Sequence, residues 1–339
     1  MKILVTGGAG FIGSNFIRYI LSKYPDYKIL NLDKLTYAGN LENLADLEKN
    51  KSYRFVKGDI CDQKLVDQIV GEGIDVIINF AAESHVDRSL YDPKVFMQTN
   101  VLGTQTLMES ALKHKIKRFV QISTDEVYGS LKEDESPFTE ESFLITNSPY
   151  SASKACSDLL VRAYQRTFDL PAIITRCCNN YGPYQFPEKL ISLFITNALD
   201  DQELPIYGDG LYIRDWIYVE DHCKAVDFVL HKGEVGEIYN ISSNVEKTNL
   251  EITQMILDCL KKPSSLIKHV KDRPAHDRRY ALSAEKIRKK LGWEPEVSFE
   301  QGMKLTIDWY IKNKDWWQKV KSGEYLKYYE KHYIKREKV

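Results

Sequence analysis

The 339-residue sequence lacks the features of several large classes of protein. No apolar run approaches the ~18 residues that a membrane-spanning helix needs, so we expect no association with a membrane. The 47 lysine and arginine residues against 48 aspartate and glutamate residues leave a net charge of −1, without a long block of one sign. Strong binding to nucleic acid or to an anionic surface is therefore not expected either.

The sequence also lacks the cysteine patterns that are typical of metal sites and of disulfide-rich proteins. The six cysteines form no CxxC pair and show no metal-ligand spacing with the seven histidines. We therefore expect free thiols and no metal. The chain passes from Met1-Lys2 straight into a strand without a signal-peptide pattern. Together these observations predict a cytoplasmic protein.

A regular alternation of short apolar runs and helical stretches extends over roughly the first half of the chain. Amphipathic stretches of 3.6-residue period separate the runs. The runs cover residues 3–5, 29–32, 53–56, 75–80, 118–123 and 172–175. This alternation predicts an α/β fold with a doubly wound, parallel Rossmann sheet.

The pattern changes after about residue 180, where turn formers, aromatic residues and arginines become frequent. We expect residues 1–180 to form the Rossmann domain and residues 181–339 to form mainly a smaller α/β substrate-binding lobe. Residues 217–240 resemble a helix and strand that return to the first domain. The basic, aromatic tail at 328–336 is predicted to be a solvated helix end.

A glycine-rich loop joins the first strand to the first helix. Gly7, Gly10 and Gly13 permit a tight turn, and the helix amino terminus favours a pyrophosphate. Asp33 ends the second strand, where a carboxylate accepts hydrogen bonds from the adenosine ribose. A carboxylate there disfavours a 2′-phosphate, so the pattern predicts NAD rather than NADP, although Lys34 weakens this preference. The alternative is a glycine turn without a nucleotide.

Asp59 and Ile60 follow the third strand. They either hold the adenine or form a buried turn, and the sequence leaves both interpretations open.

Tyr150 and Lys154 stand four residues apart, so a helix places both on one face. A free tyrosine has a pKa of about 10, too high for a base at neutral pH. A nearby ammonium group and an oxidised nicotinamide both favour the phenolate and lower that pKa. With a dinucleotide loop in the same chain, the pair indicates proton transfer during a redox step. The same spacing also occurs by chance on helix surfaces.

Thr124, Asp125 and Glu126 follow the apolar run at 118–123. Ligands bind at the carboxyl ends of parallel strands in open α/β sheets. A hydroxyl, a carboxyl that donates a proton and a carboxylate that accepts one are the groups that an elimination of water requires. The three residues therefore predict an enzyme that does more than oxidise. The alternative is a solvated pair of turn acids.

Several motifs together resemble a known family. The glycine pattern, the Tyr150/Lys154 pair and the NNYGP turn at Asn179 are similar to the extended short-chain dehydrogenase/reductase superfamily. More specific stretches resemble the dTDP-glucose 4,6-dehydratases over nearly the whole chain. They are AAESHVDRS from Ala81, STDEVYG from Ser123, FPEKL from Phe186, RDW from Arg214 and the segment 273–280.

The resemblance implies a complete reaction cycle with tightly bound NAD that is regenerated in each turnover. Tyr150 would take the proton of the sugar 4-hydroxyl as a hydride leaves C4, with Lys154 lowering the pKa of the phenol. Glu126 would then remove the C5 proton and Asp125 would protonate the departing 6-hydroxyl. Thr124 would hydrogen-bond the oxygen at C4, where charge develops. The product would be dTDP-4-keto-6-deoxyglucose.

The resemblance also implies two sets of binding residues and a homodimer. The cofactor set is Gly7, Gly10, Phe11, Ile12, Gly13, Asp33, Lys34, Thr36, Asp59, Ile60, Phe80, Ala81, Ala82, Ser84, Thr99, Tyr150, Lys154 and Asn180. The substrate set is Ser84, His85, Thr124, Asn179, Glu188, Lys189, Leu190, Pro205, Ile206, Tyr207, Arg214, Asn249, Arg273, His276 and Tyr280. The helical stretches 93–114 and 151–168 would pair across a two-fold axis, although either would equally fit against a sheet.

Within the substrate set, Arg214, Asn249 and Arg273 would serve the phosphates, and Pro205 to Tyr207 would hold the thymine. Judged from the sequence alone, each of these arginines is more often a member of a surface ion pair than a ligand. His85 is interpreted as a packing or substrate-pocket histidine.

Three other functions fit part of the pattern. A nucleotide-sugar 4-epimerase would keep the fold without needing Asp125 and Glu126. A GDP-mannose 4,6-dehydratase would share the chemistry with a different base pocket. A non-catalytic nucleotide-binding regulator would have no use for the combination of Tyr150, Lys154 and the strand-end acids.

Overall fold

The computed structural model describes residues 1–272, 274 and 276–322. The predicted phosphate ligand Arg273 and the tail at 328–336 lie outside these residues.

Twelve strands are assigned in the described part of the chain. They are β1 (Lys2–Thr6), β2 (Lys28–Asp33), β3 (Tyr53–Lys57), β4 (Val76–Asn79), β5 (Arg118–Thr124), β6 (Ala172–Cys177), β7 (Asn179–Tyr181), β8 (Leu204–Tyr207), β9 (Ile213–Tyr218), β10 (Ile238–Ile241), β11 (Glu246–Thr248) and β12 (Ile267–Val270).

The same residues form twelve α-helices and several shorter helical turns. The α-helices are α1 (Phe11–Lys23), α2 (Gln63–Val70), α3 (Val86–Tyr91), α4 (Pro93–Phe96), α5 (Thr104–Lys113), α6 (Pro149–Phe168), α7 (Leu190–Leu199), α8 (Val219–Lys232), α9 (Asn249–Leu260), α10 (Glu285–Leu291), α11 (Phe299–Lys312) and α12 (Lys314–Val320). A π-helix (Met97–Gly103) joins α4 to α5, and 3₁₀ turns cover Leu41–Leu47, Asp125–Tyr128 and Ser264–Leu266.

The central sheet has seven strands in the order β10-β6-β5-β4-β1-β2-β3, and all of its pairings are parallel. Helices cover both faces of this sheet, so consecutive residues of β1 pack into different hydrophobic cores. Ile3 and Val5 pack with Phe16 of α1, whereas Leu4 packs with Leu107 of α5. This arrangement confirms the predicted doubly wound α/β fold. The strand order reverses between β1 and β4, where such sheets bind ligands.

Two small sheets, with strand orders β11-β9-β7 and β12-β8, pack with helices around a separate hydrophobic core, and we call this part of the structure the second lobe. Its core includes Phe194, Tyr310 and Trp317 from helices α7, α11 and α12. Ile217 and Tyr218 end β9, so helix α8 begins at Val219. The chain then returns through β10, which pairs with β6 at the edge of the central sheet.

Helix α6 carries the Tyr150/Lys154 pair and has a strong amino-terminal signal. Pro149 occupies its first turn, and Ser148 and Ser151 form a reciprocal capping box. None of the helices within residues 1–272 and 276–322 is long and apolar enough to cross a membrane.

Candidate active site

A cavity of about 420 Å³ lies at the carboxyl ends of the central strands, with walls from both lobes. Every sequence-predicted cofactor, substrate and catalytic residue that the structure describes lines this one cavity. Arg273 is the remaining member of those sets, and it is not described. The fold therefore brings residues from position 7 to position 280 to a single site.

The glycine loop closes one wall of the cavity against the end of β4. Gly7 has a φ of +68°, and a Cβ there would lie 2.6 Å from the Ala81 nitrogen. A Cβ on Gly13 would lie 2.5 Å from the Gly7 carbonyl oxygen. Gly10 caps α1 without a side-chain hydrogen bond, so the first-turn N–H groups face a ligand position. This geometry fits a diphosphate at the helix amino terminus.

Asp33 lies at the end of β2 with its carboxylate held by the backbone. Its Oδ2 accepts from the Ala9 N–H at 2.9 Å and its Oδ1 accepts from the Leu35 N–H at 2.8 Å. Burial raises the pKa of Asp33, and these two bonds oppose that effect. A carboxylate fixed at this position fits ribose hydroxyls of a dinucleotide.

Lys34 forms an ion pair across the same cavity edge, with Nζ 2.7 Å from Oδ2 of Asp59. Despite partial burial, the pair lowers the pKa of Asp59. The lysine charge that would favour a 2′-phosphate is therefore engaged by a carboxylate. The acceptor set at this end of the cavity fits NAD.

Tyr150 is buried and hydrogen-bonds Thr124, and its ring packs edge-on against Phe96 with centroids 6.3 Å apart. Burial and the nearby Glu126 raise the pKa of Tyr150 well above its usual value, while the bond with Thr124 lowers it. The phenol is therefore neutral in this arrangement. Deprotonation requires additional positive charge close to the ring.

Lys154 is buried one helical turn after Tyr150. Its Nζ donates to the Ile122 carbonyl oxygen of β5 at 2.6 Å. Burial lowers the pKa of Lys154, and the Asp158 carboxylate on the next turn of α6 opposes this shift. The ammonium group is thus anchored to the strand that ends in the acid pair.

Thr124 caps the short 3₁₀ turn that carries the two acids. Its Oγ1 accepts from the Glu126 N–H at 3.3 Å and donates to Oδ1 of Asp125 at 3.2 Å. Asp125 is only 2% exposed, so the alternative of a solvated turn pair is wrong for this residue. The sequence pattern therefore places one acid of the pair inside the cavity wall.

The pKa of Asp125 lies well above its usual range. The causes are burial first, and then the negative charges of Glu126 and Asp215. Its Oδ2 is buried and has no hydrogen-bond partner among the described residues. Burial and the neighbouring charges therefore favour the protonated form of Asp125, and its unpartnered Oδ2 leaves a position for a ligand next to Glu126.

A buried carboxylate, Glu188, lies in another part of the cavity wall. Glu188 accepts from the Tyr37 hydroxyl at 3.0 Å and from Nε of Arg88 at 3.4 Å, and Nε2 of His85 lies 3.9 Å away. Burial raises the pKa of Glu188, with Lys189 and Arg88 acting in the opposite direction. His85 therefore belongs to this polar pocket.

Arg214 is a buried residue of the second lobe. Its guanidinium lies 4.3 Å from the ring centroid of Tyr280, and NH1 donates to the Ile213 carbonyl at 2.7 Å. The surface ion-pair interpretation is wrong for this arginine, which is 6% exposed. A buried guanidinium that lines a cavity suits a phosphate group.

An aromatic corner lies near Arg214 in the same cavity wall. His276 stacks on Tyr212 with centroids 3.7 Å apart, and Tyr207 lies edge-on to His276 at 5.9 Å. The Tyr207 hydroxyl donates to Oδ2 of Asp87 at 2.8 Å. Such a corner suits a planar base.

The remaining lining residues were not predicted. They are Leu32, Ala38, Gly39, Gly58, Glu83, Val86, Asp87, Ile122, Ser123, Cys177, Cys178, Gln185, Phe186, Leu193, Phe194 and Trp216. Glu83, Val86, Asp87, Ser123, Phe186 and Trp216 stand inside the motifs that carried the resemblance, so the same signal could have found them. Gln185 and Phe194 have no local signal and reach the cavity only through the fold.

The cavity contains no activated thiol or metal cluster within the described residues. Burial raises the pKa of Cys177 to about 12, and all six cysteines are free. No group of histidine, cysteine, aspartate and glutamate side chains in residues 1–272 and 276–322 could hold a metal ion.

Sequence comparisons place the chain among nucleotide-sugar enzymes. A family model described as GDP-mannose 4,6-dehydratase matches residues 4–306. The chain is 55% identical over 311 residues to the low-salt glycan biosynthesis protein Agl12 of Haloferax volcanii, covering 92% of this chain and 99% of that protein. It is 51% identical over 328 residues to a dTDP-glucose 4,6-dehydratase of Streptomyces niveus, covering 96% of this chain and 97% of that protein.

Solved structures show the same relationship. The dTDP-glucose 4,6-dehydratase DesIV of Streptomyces venezuelae, crystallised with NAD, matches with a TM-score of 0.92 and 52% identity, covering 94% of this chain and all of that one (100%). A UDP-glucose 4-epimerase of Thermotoga maritima, crystallised with UDP-glucose, matches with a TM-score of 0.86 and 30% identity. The match covers 93% of this chain and 100% of that one. The two activities share the fold, and the identity is much higher for the dehydratase.

Proposed function

The chain belongs to the dTDP-glucose 4,6-dehydratase family of the extended short-chain dehydrogenase/reductases, and we propose that it converts dTDP-glucose into dTDP-4-keto-6-deoxyglucose with NAD as cofactor. The enzyme is thus a lyase. The observation that carries this proposal is the buried Asp125, whose Oδ2 has no partner among the described residues, beside Glu126 in one cavity with Tyr150 and Lys154.

Tyr150 and Thr124 serve the oxidation at C4. NAD held at the glycine loop and Asp33 would supply the hydride acceptor for C4 and the hydride donor for C6. Tyr150 accepts the proton of the 4-hydroxyl, and Thr124 hydrogen-bonds the oxygen at C4. Since burial and Glu126 favour the neutral phenol, the charge of Lys154 one turn away is needed to favour the phenolate.

Glu126 and Asp125 serve the elimination. A ketone at C4 acidifies the C5 hydrogen, which Glu126 removes as a proton. Glu126 returns a proton, exchangeable with solvent, to C5 when hydride adds at C6. The C6–O bond breaks as Asp125 gives its proton to the 6-hydroxyl, which leaves as water. The raised pKa of Asp125 favours the protonated form that this step requires.

The second lobe binds the nucleotide sugar in this proposal. Glu188 and Lys189 face the hexose, Arg214 faces a phosphate, and Tyr207 with His276 holds the base. We assign residues 1–180 together with 217–240 to the NAD-binding domain, and residues 181–339 mainly to the substrate lobe. The pairing of β10 with β6 supports this division.

We also propose a homodimer that pairs the helical stretches 93–114 and 151–168. The two stretches lie side by side, since Nδ2 of Asn100 donates to Oγ of Ser153 at 2.8 Å. Both expose large apolar side chains: Leu102 is 55% exposed and Leu159 is 56% exposed. A second copy of this chain would bury them. Six free thiols support a reducing, cytoplasmic location.

Turnover by the purified protein without added NAD tests the proposal. We expect dTDP-glucose to yield a 4-keto-6-deoxy sugar, detected by its absorbance in alkali. UDP-glucose and GDP-mannose are the comparison substrates. Conversion of dTDP-glucose to dTDP-galactose would favour an epimerase, and preferential turnover of GDP-mannose would favour the other dehydratase class.

A further inference from the structure

The segment that follows β2, residues 34–47, lies along the adenosine side of the cavity. We call it the post-β2 segment. Thr36, Ala38 and Gly39 line the cavity from this segment. The Asn40 N–H donates to the carbonyl oxygen of Ala9 in the glycine loop at 3.0 Å. The segment therefore covers the dinucleotide end and touches the loop that holds the diphosphate.

The first attachment of this segment to the second lobe is made by Tyr37. Its hydroxyl donates to Oε1 of Glu188 at 3.0 Å, and its ring lies edge-on to Phe186 at 5.6 Å. The guanidinium of Arg88 lies 3.7 Å from the Tyr37 ring centroid and also bonds Glu188. Tyr37 thus joins the cofactor side of the cavity to a carboxylate on the sugar side.

The second attachment is made by α12. Nε1 of Trp316 donates to Oδ1 of Asn43 at 3.0 Å, and Nδ2 of Asn43 donates to the Ala9 carbonyl at 2.9 Å. Trp316 and Asn43 are both buried. A continuous path of hydrogen bonds therefore runs from the second lobe through the post-β2 segment to the glycine loop.

We infer that Tyr37 and Trp316 are positioning residues that keep the cofactor bound throughout the cycle by fastening the post-β2 segment to the second lobe. The inference rests on the proposed function, in which the cofactor is regenerated and has no need to leave. Two attachments on separate elements, the 186–188 turn and α12, oppose lifting of the segment. Opening the dinucleotide end requires both bonds to break.

The test compares NAD retention in the holoenzyme and in Tyr37→Phe, Trp316→Phe and the double variant. Each protein is exchanged repeatedly into NAD-free buffer, and the remaining NAD and its dissociation rate are measured. We expect NAD to dissociate from Tyr37→Phe about 10- to 100-fold faster than from wild type, because the substitution removes a hydrogen bond to a charged group. Tyr27→Phe is the matched control, since its hydroxyl lies 2.9 Å from Nε2 of His231, among residues that do not line the cavity.

Turnover supplies a second readout. The Tyr37 and Trp316 variants should lose activity over successive cycles without added NAD and regain it when NAD is supplied. Thermal unfolding of each variant separates this effect from general destabilisation. Retention equal to that of wild type in a folded double variant overturns the inference. Failure of the wild type to bind NAD or convert dTDP-glucose would instead overturn the proposed function.

Discussion

The hydroxyl of Thr124 lies 3.2 Å from Oδ1 of Asp125, and the same side chain hydrogen-bonds Tyr150. One threonine at the end of β5 therefore contacts the proposed base for oxidation and the proposed acid for elimination. Because both reactions act on neighbouring sugar carbons, the two groups have to reach the substrate without a large movement between steps. The strand end holds them in this relationship.

Asp125→Asn removes the proton donor while keeping the shape of the side chain. We expect turnover to fall by about 10²- to 10⁴-fold, the usual contribution of a general acid. Oxidation at C4 should persist, so NADH should accumulate after dTDP-glucose is added, as seen by its absorbance. Asp134→Asn, in an exposed turn, is the control. Normal turnover by Asp125→Asn would show that another group protonates the leaving hydroxyl.

A buried ion pair between Arg176 and Asp158 connects β6 to α6, the helix that carries Tyr150 and Lys154. Nε of Arg176 lies 2.9 Å from Oδ2 of Asp158 on α6, and its NH1 donates to the Tyr128 hydroxyl at 2.9 Å. Arg176→Met should lower the free energy of unfolding by about 3–5 kcal/mol, because it leaves a buried carboxylate without its partner. Urea denaturation measures this change.

Lys304→Met is the matched control for that substitution, because Lys304 pairs with Asp308 at 2.7 Å on the surface of α11. We expect its stability to remain close to that of wild type. Equal effects of the two substitutions would contradict the assignment of Arg176 as a buried structural charge.

His222 makes stability sensitive to acid. Burial lowers its pKa to about 3, and its Nδ1 hydrogen-bonds Oδ1 of Asn180 at 2.8 Å. Below a pH of about 6.5 the unfolded chain binds a proton at this residue that the folded chain does not. Stability should therefore fall as the pH falls from about 6.5 towards 3, by up to about 1.4 kcal/mol per pH unit.

His222→Gln should remove the contribution of one proton to the pH dependence of the free energy of unfolding. Urea denaturation at pH values across the same range measures this change. An unchanged slope would show that His222 is protonated in the folded protein.

Leu159→Glu tests the homodimer. A charge at the centre of the proposed helix pairing should produce monomers in light scattering at concentrations where the wild type is dimeric. Leu305→Glu, on the exposed face of α11, is the control and should leave the oligomeric state unchanged. A monomeric wild type, or a dimer that tolerates Leu159→Glu, would place the interface elsewhere or remove it.

Local patterns were sufficient to predict the main elements of the fold. The predicted strand at 75–80 is one residue shorter at each end, because β4 covers Val76–Asn79. The strand-end position of Asp125 also follows from local sequence. The predicted single helix at 93–114 instead contains a π-helix, in which Asn100 bonds Ser153 and the Glu83 carbonyl. These partners come from other elements, so periodicity gives no signal for them.

Contacts between distant residues could not be predicted. Tyr37 and Glu188 are 151 positions apart, and neither position has a pattern that points to the other. The pKa of Asp125 is raised by burial and by the charge of Glu126, and the charges of Asp215 and Arg214 in the second lobe shift it further in opposite directions. The sequence therefore predicted the chemical groups of the site, whereas their pKa values required the packing of both lobes.

The most direct test of the central claim is deuterium incorporation at C5 when the enzyme converts dTDP-glucose in heavy water. We expect the wild type to give product deuterated at C5. Glu126→Gln should slow this exchange by about 10²- to 10⁴-fold while its NAD content stays that of wild type. Exchange at the wild-type rate in Glu126→Gln would contradict the assignment of Glu126 as the base and, with it, the proposed elimination by the adjacent acid pair.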